Sequence, residues 1–170
     1  MSNPAPKKGF TLVELLVVIS IIAILSVVGV TVFSGVQNKA RDAKIKADFN
    51  AMYKNIEIAR MAQQKPLGQI TNNYCSDCIN NGVECRNTDF SNPSNYATCL
   101  NTMTTSYGKV TKAPLPIDPW GDPYYIDENE GEGGVSCSRD SIRSAGPDRI
   151  GGTDDDKGFS IPLSGYTGCQ

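Results

Sequence analysis

The chain contains no histidine among its 170 residues and only one tryptophan. Catalytic arrangements of the Ser-His-Asp and Cys-His kinds are therefore excluded, because each uses an imidazole as its base. No glycine pattern of the Walker or dinucleotide-binding kind follows a predicted strand. An excess of basic residues is also absent, since the formal net charge is −2, so no specific nucleic-acid partner is predicted. We expect a protein that is not an enzyme.

One long apolar run stands close to the N-terminus. A short polar leader ends in Lys7-Lys8-Gly9, and the apolar run then covers 24 residues from Phe10 to Phe33. As a helix this run would extend about 36 Å at about 1.5 Å per residue, which is enough to cross a bilayer. The candidate cleavage point lies before the run, at Gly9, whereas a secretory signal is cut after its apolar region. Cleavage would leave the apolar helix on the mature protein.

The segment Lys7-Lys8-Gly9-Phe10-Thr11-Leu12-Val13-Glu14 resembles the class III leader junction of type IV pilins and type II secretion pseudopilins. The resemblance implies that a prepilin peptidase cuts after Gly9 and that Phe10 becomes the N-methylated first residue. It also implies an assembly role for Glu14, whose carboxylate would pair with the Phe10 ammonium of a neighbouring subunit. A carboxylate at membrane depth costs about 2.5–3.5 kcal/mol and needs such a partner. The alternative is that Glu14 lies at the headgroup level.

All six cysteines follow the apolar run: Cys75, Cys78, Cys85, Cys99, Cys137 and Cys169. An even number in a small head behind a targeting segment predicts disulfides and an oxidising compartment. We expect three disulfides and favour Cys137–Cys169, which would close a loop around the acidic residues that lie between these two cysteines. The alternative is a zinc site built from the first four cysteines, although their spacing fits common zinc modules poorly. Because disulfides are favoured over zinc, the head is expected outside the cytoplasm.

The predicted fold is α+β, a pilin fold in which a long N-terminal helix packs on a small antiparallel-sheet head. The expected segments are a leader (1–9), a transmembrane and filament-core helix (10–33), an amphipathic half (34–65) and a globular head (66–170). Two lines of apolar residues at helical spacing extend the helix to about Gln63: Val36, Ala40, Ala43, Ala47 and Ala51, and Ile45, Phe49, Met52 and Ile56. A shorter helix is expected from about Asn92 to Met103, followed by short strands at Tyr124–Asp127, Val135–Cys137, Ile142–Ser144 and Phe159–Ile161.

A second resemblance lies in the head. The segment Asp118-Pro119-Trp120-Gly121-Asp122-Pro123-Tyr124 resembles a signature of major pseudopilins, the main subunits of the type II secretion pseudopilus. Its prolines fix the backbone, its glycine permits a tight turn, and Trp120 supplies apolar bulk to a small core. A structural role is therefore expected, with ligand binding by Trp120 as the alternative.

An acidic stretch resembles the calcium loop of the same subunits: Ser144-Ala145-Gly146-Pro147-Asp148 followed by Asp154-Asp155-Asp156. The resemblance implies calcium as a cofactor, held by the side chains of Asp148, Asp155 and Asp156 and by carbonyls near Ala145 and Ile150. Asp154 is an alternative to either of the last two aspartates. Calcium suits such a loop because it takes oxygen ligands at flexible geometry. The competing interpretation is a solvated acidic loop.

These features predict a structural subunit of a type IV-like filament, of the major-pseudopilin kind, serving type II protein secretion. The expected partners are other copies of the chain, a prepilin peptidase, an inner-membrane assembly platform and minor pilins or pseudopilins. The protein would lie in the inner membrane with its head outside the cytoplasm, and then in a periplasmic or surface filament. Two alternatives are a type IV pilin for adhesion, twitching or DNA uptake, and a membrane-anchored calcium-binding module that does not polymerise.

Processing gives a direct test of the junction. The mature chain should begin at Phe10, which mass analysis of the N-terminal peptide from membrane or filament material will measure. Gly9→Val should leave unprocessed and unassembled protein in the inner membrane, because the resemblance places the peptidase cut directly after this glycine. A mature start at Met1 or beyond Phe33 would refute this prediction.

Overall fold

The computed structural model describes residues 9–71, 85–130 and 137–165, and within residues 28–32 it describes the backbone alone. The predicted strand residue Val135 and three of the six cysteines, Cys75, Cys78 and Cys169, lie outside these ranges. The helices are α1 (Leu12–Gln63), α2 (Leu67–Thr71) and α3 (Pro93–Thr111), with a 3-10 turn at Cys85–Asn87. The strands are β1 (Tyr125–Asp127), β2 (Ser141–Ser144) and β3 (Lys157–Ser160).

The chain divides into two compact units, Met1–Asp42 and Ala43–Gln170. The first unit consists, within the described residues, of the start of α1 and the residues just before it. Its large apolar side chains are exposed where the structure describes them, with Phe10 at 89% and Phe33 at 63%. Among the described residues, no helix combines the length and the hydropathy of a membrane span.

The second unit contains the core, and one apolar line of α1 forms part of it. Ile45, Phe49, Met52 and Ile56 are all buried, which confirms that this line packs against the head. The second apolar line extends the helix as predicted but does not join the core, because Ala43, Ala47 and Ala51 are exposed. A helix buries one stripe against a single layer, and the larger side chains gain more from burial than the alanine methyls do.

The end of α1 agrees with the prediction. The helix ends at Gln63, and Gln64 takes a left-handed conformation with φ of 52°. Its amide donates to the carbonyl of Arg60 at 2.7 Å, which satisfies one of the last helical acceptors. Pro66 follows and cannot continue the helix.

Helix α3 is longer than its sequence suggested. Its start is as expected, because the Asn92 side chain caps the helix by accepting from the amide of Ser94 at 3.0 Å, with Pro93 in the first turn. Its end lies at Thr111, well past the predicted end near Met103. Met103, Tyr107 and Val110 are buried, so packing against the core sustains a stretch of low intrinsic helix propensity.

The three strands form one antiparallel sheet in the order β1-β2-β3. The register places Ile142 opposite Ile126 on one side and opposite Phe159 on the other. Three of the predicted strands are thus confirmed, with shifted bounds. Cys137, expected in a strand, instead lies in an isolated bridge with Glu130, outside the named strands.

The core joins α1, α3 and the sheet through rings and one disulfide. The Phe49 ring packs edge-on against Tyr124, with 5.4 Å between the ring centroids, and lies 6.1 Å from Phe159. Cys85 and Cys99 are bonded to each other and fully buried, so the 3-10 turn is covalently attached to α3. The prediction of disulfides in the head is confirmed for this pair.

A buried arginine ties the end of α1 to the head. Arg60 is 1% exposed, and its guanidinium bonds the carboxylates of Glu130, at 3.0 Å, and Asp140. It also donates to the carbonyl of Pro162 and to Glu57, each at 2.9 Å. Burial raises the pKa of Asp140, while hydrogen bonds from backbone amides and the charge of Arg60 oppose that shift. One cation therefore holds three separate parts of the head together.

Removing this cation should lower the free energy of unfolding of the head. Arg60→Met keeps an apolar stem but leaves Glu130 and Asp140 buried without their counter-ion, which costs about 3–5 kcal/mol. Urea unfolding of the full chain in detergent, followed by tryptophan fluorescence, measures the loss. Lys54→Met is the matched control, because Lys54 is exposed on the same helix. Equal stability of the two variants would contradict the assigned role of Arg60.

Candidate functional site

The residues of the predicted cleavage junction are accessible. Gly9, Phe10 and Thr11 precede α1 and are not helical, and all three are exposed. A Cβ atom added at Gly9 would meet no atom within 4 Å. The fold itself therefore places no demand on a glycine at this position.

The Glu14 side chain caps the start of α1. Its carboxylate accepts from the amide and from the hydroxyl of Thr11, both at 2.8 Å, and the Thr11 hydroxyl in turn accepts from the Glu14 amide at 3.3 Å. This reciprocal arrangement is a capping box, and it satisfies amides that the first helical turn leaves unpaired. Sequence reasoning missed it, although the spacing of Thr11 and Glu14 is the recognised signal. Glu14 thus has a structural task within its own chain.

The helix that follows the junction presents apolar side chains to its surroundings. Leu12, Val13, Leu15 and Leu16 are 53–79% exposed, and the pattern continues through Ile24 and Leu25 at 67% and 65%. Contiguous apolar surface of this extent on a helix marks contact with lipid or with other protein. Glu14 is the one acidic residue in the apolar run from Phe10 to Phe33.

In the head, the Asp118–Asp122 segment forms a turn organised by a carboxylate. One oxygen of Asp118 accepts from the amides of Trp120 and Asp122, both at 2.9 Å, and the other accepts from the Ser144 hydroxyl at 2.6 Å. Burial raises the pKa of Asp118, against the effect of these donors. Gly121 closes the turn with φ of 94°. The role of the glycine was predicted from the sequence, but the role of Asp118 was missed. Its carboxylate accepts the hydrogen bonds that hold the turn together, which is a common function of aspartate in turns.

An ion pair between buried Asp122 and half-buried Arg149 joins this turn to the acidic loop, which we define as residues 144–156. Asp122 is fully buried and receives both the Nε of Arg149, at 2.9 Å, and its Nη2, at 2.6 Å. This bond from the Asp122 carboxylate raises the pKa of Arg149 further. Arg149 lies in the middle of the loop with φ of 63°, so a strained backbone position carries the anchoring side chain.

Within the acidic loop, Asp148 and Asp155 lie side by side. The Asp155 carboxylate accepts from the amide of Asp148 at 3.1 Å and from the Thr153 hydroxyl at 2.6 Å, and these bonds, the hydroxyl first, lower its pKa. Asp148 accepts from the amide of Ile150 at 2.8 Å. A Cβ added at Gly146 would lie 2.7 Å from both the carbonyl and a carboxylate oxygen of Asp155. Glycine is required there.

Asp156 turns away from the other two, towards the sheet. Its Oδ2 accepts from the Tyr125 hydroxyl and from the amide of Gly152, both at 2.8 Å. Its Oδ1 is buried and has no hydrogen-bond partner in the described part of the chain. Burial and the nearby Asp156 carboxylate raise the pKa of the Tyr125 phenol. Asp154, the alternative ligand, is exposed.

The predicted calcium ligands are therefore near one another but not gathered into a coordination shell. Across residues 9–71, 85–130 and 137–165, no three acidic or cysteine side chains are grouped so that they could hold a metal ion. Each of the three aspartates is bonded to donors of the loop or the sheet. The donor set nevertheless consists of oxygen atoms alone, and the buried Oδ1 of Asp156 is available, which fits a hard cation better than zinc.

Two comparisons with known proteins bear on these sites. The family described as prokaryotic N-terminal methylation motif matches residues 5–30, which include the junction and the start of α1. Type II secretion system core protein G of Escherichia coli (strain K12) is 30% identical over 151 residues, which is 88% of this chain and 88% of that protein. The chain belongs to the type II secretion core protein G family. No solved structure matches it significantly.

The cysteines of this core protein G family member are paired where the structure describes them. Because Cys85 and Cys99 are bonded to each other, the alternative zinc site, which needed both as thiolates, is excluded. Cys137 is also disulfide-bonded. Its expected bond to Cys169 stays a prediction, since Cys169 lies outside the described residues.

Proposed function

We propose that the chain is a major-pseudopilin subunit, which polymerises through α1 into a filament that serves type II protein secretion. The observation that carries the proposal is the identity to a core protein G over most of the chain, combined with an accessible junction directly before an exposed apolar helix. A type IV pilin is the second candidate, because the methylation-motif family that matches residues 5–30 describes the junction alone.

The assembly mechanism follows from one charge on an apolar helix. Cleavage after Gly9 would create an ammonium group at Phe10, four residues before Glu14 in the sequence. Packing apolar helices side by side would bury Glu14 with its neighbours, and a buried carboxylate needs a positive partner. The ammonium of an adjacent copy can supply that partner while Thr11 continues to donate to the same carboxylate.

The expected route begins at the membrane. The subunit would be anchored there through its apolar helix, cut by a prepilin peptidase, and added to the filament by an inner-membrane platform together with minor pseudopilins. A head outside the cytoplasm agrees with the Cys85–Cys99 disulfide, because structural disulfides persist in oxidising compartments.

The assembly proposal predicts a separation between processing and polymerisation. Glu14→Val should be cleaved normally but yield few filaments, because the charge pair that sets the packing register is gone. Expression in a bacterium lacking its own core protein G, with electron microscopy of sheared material and an assay of secreted enzyme, measures both effects. Asp42→Val is the matched control, since Asp42 is exposed on the same helix.

The same experiment separates the candidate functions. Restored secretion with short fibres supports the pseudopilin, whereas long surface fibres without restored secretion support the type IV pilin. Normal filaments from Glu14→Val would contradict the charge pairing.

For the acidic loop we propose calcium as the bound cofactor, held by Asp148, Asp155 and Asp156 with carbonyls at Ala145 and Ile150. The support is chemical: carboxylates close together repel one another, and Asp156 carries a buried oxygen that no donor among the described residues satisfies. A cation there would take over some of the hydrogen bonds that the carboxylates now make within the loop. Calcium would supply charge neutralisation and order, and no catalytic step.

Calcium binding should appear as a stability difference. A ligand that binds only the folded state adds about 2.7 kcal/mol at a hundredfold excess over Kd. The full chain in detergent should therefore melt lower in a chelator and recover with calcium more than with magnesium. Asp148→Ala should remove this response, whereas Asp154→Ala should keep it unless Asp154 is the true ligand. An unchanged melting temperature in the chelator would indicate a solvated loop.

A further inference from the structure

The acidic loop does not stand alone, because its middle is attached to the segment that follows the 3-10 turn. We define residues 86–90 as the docking edge. The amide of Phe90 donates to the carbonyl of Arg149 at 2.8 Å, and the amide of Gly151 donates to the carbonyl of Thr88 at 2.9 Å. Between these two bonds, Asp89 and Ile150 form an antiparallel bridge. The loop is thus paired with the docking edge like a short strand.

The fit between the two segments is close. A Cβ at Gly151 would lie 2.5 Å from the carbonyl oxygen of Arg86 and 3.2 Å from that of Cys85. Backbone therefore packs directly on backbone, and a displacement of the docking edge by even one ångström would break the contact. Cys85 itself belongs to the surface on which the loop rests.

A second connection runs through aromatic rings. Phe90 is buried and stacks on Tyr125, with 6.5 Å between the centroids. The Tyr125 hydroxyl in turn donates to Asp156 at 2.8 Å. The docking edge consequently contacts Arg149 and Gly151 directly. It also positions Asp156 indirectly, through Tyr125.

The docking edge lies inside the covalent ring that the disulfide closes. Cys85 and Cys99 are 14 residues apart in the sequence, and residues 86–90 fall between them. Cys99 is on the buried face of α3, so the bond holds the start of the ring against the core. The 3-10 turn has only three residues, and the disulfide is its covalent attachment to α3.

We infer that formation of the Cys85–Cys99 disulfide orders the acidic loop, so that the loop adopts the conformation described above only in the oxidised protein. In the forming step the two thiols lose two electrons and two protons to a disulfide-containing oxidant. A bond forms between the two Sγ atoms, and the oxidant is reduced to its dithiol. The cation affinity of the loop then depends on oxidation, a consequence that rests on the calcium binding proposed above.

Hydrogen–deuterium exchange of the full chain in detergent tests this inference. In the double variant Cys85→Ser with Cys99→Ser, peptides covering 86–90 and 146–153 should exchange at least tenfold faster than in the oxidised protein. Peptides covering the buried half of α1 and the β1–β2 pairing should keep their protection. Val110→Ala is the matched control, because it weakens the buried face of α3 without touching the ring.

Two outcomes would overturn the inference. Unchanged exchange in residues 146–153 would mean that the loop is ordered without the bond. A uniform increase that matches the Val110→Ala pattern would mean that the disulfide only stabilises the head as a whole.

A second variant covers the case in which the double variant fails to fold. Gly151→Ala leaves the disulfide intact but pushes the loop off the docking edge. Selective fast exchange in 86–90 and 146–153 would support the coupling, and unaltered exchange there would refute it.

Calcium titration calorimetry adds an independent measurement. The Kd of the oxidised protein should rise at least tenfold in the double variant and stay the same in Val110→Ala. Equal Kd values in the oxidised protein and the double variant would overturn the link between oxidation and cation affinity. If the oxidised protein binds no calcium, the calcium proposal fails, while the exchange data still decide whether the disulfide orders the loop.

Discussion

The head of this protein depends on one buried positive charge. Arg60 can be held away from water only if acceptors surround it, and Glu130, Asp140 and the carbonyl of Pro162 meet that need. Each comes from a different part of the chain, so satisfying one side chain fixes the end of α1, both flanks of the β1–β2 connection and the start of the C-terminal segment. Ser164 adds a further bond to Glu130 at 2.7 Å, which extends the same requirement.

Local rules predicted much of the fold. The helical spacing of apolar residues placed the end of α1 correctly, near Gln63, and three of the predicted strand segments became strands. Where packing overrides propensity the prediction was less accurate, as in the last turns of α3. The buried role of Arg60 was missed because its partners Glu130 and Asp140 are 70 and 80 residues away, and no spacing rule connects them.

The candidate sites divide along the same line. Gly9, Phe10 and Glu14 were predicted from contiguous residues, since a junction is a local pattern, and their roles stay predictions. The acidic loop was also found, but not the way it is built, because that depends on distant contacts. Arg149 reaches back to Asp122, Tyr125 reaches forward to Asp156, and Gly151 rests on the carbonyls of Cys85 and Arg86. No local sequence pattern predicts any of these contacts.

The position at which α1 begins has a consequence for proteolysis. Peptidases bind their substrates as extended chain, and a peptide bond inside a helix is protected by its own hydrogen bonds. The capping box of Thr11 and Glu14 starts the helix at Leu12, so the bond between Gly9 and Phe10 stays outside it by two residues. The cap therefore fixes the residue at which the helix begins. It leaves the predicted cleavage bond in a short stretch that has no helical hydrogen bonds.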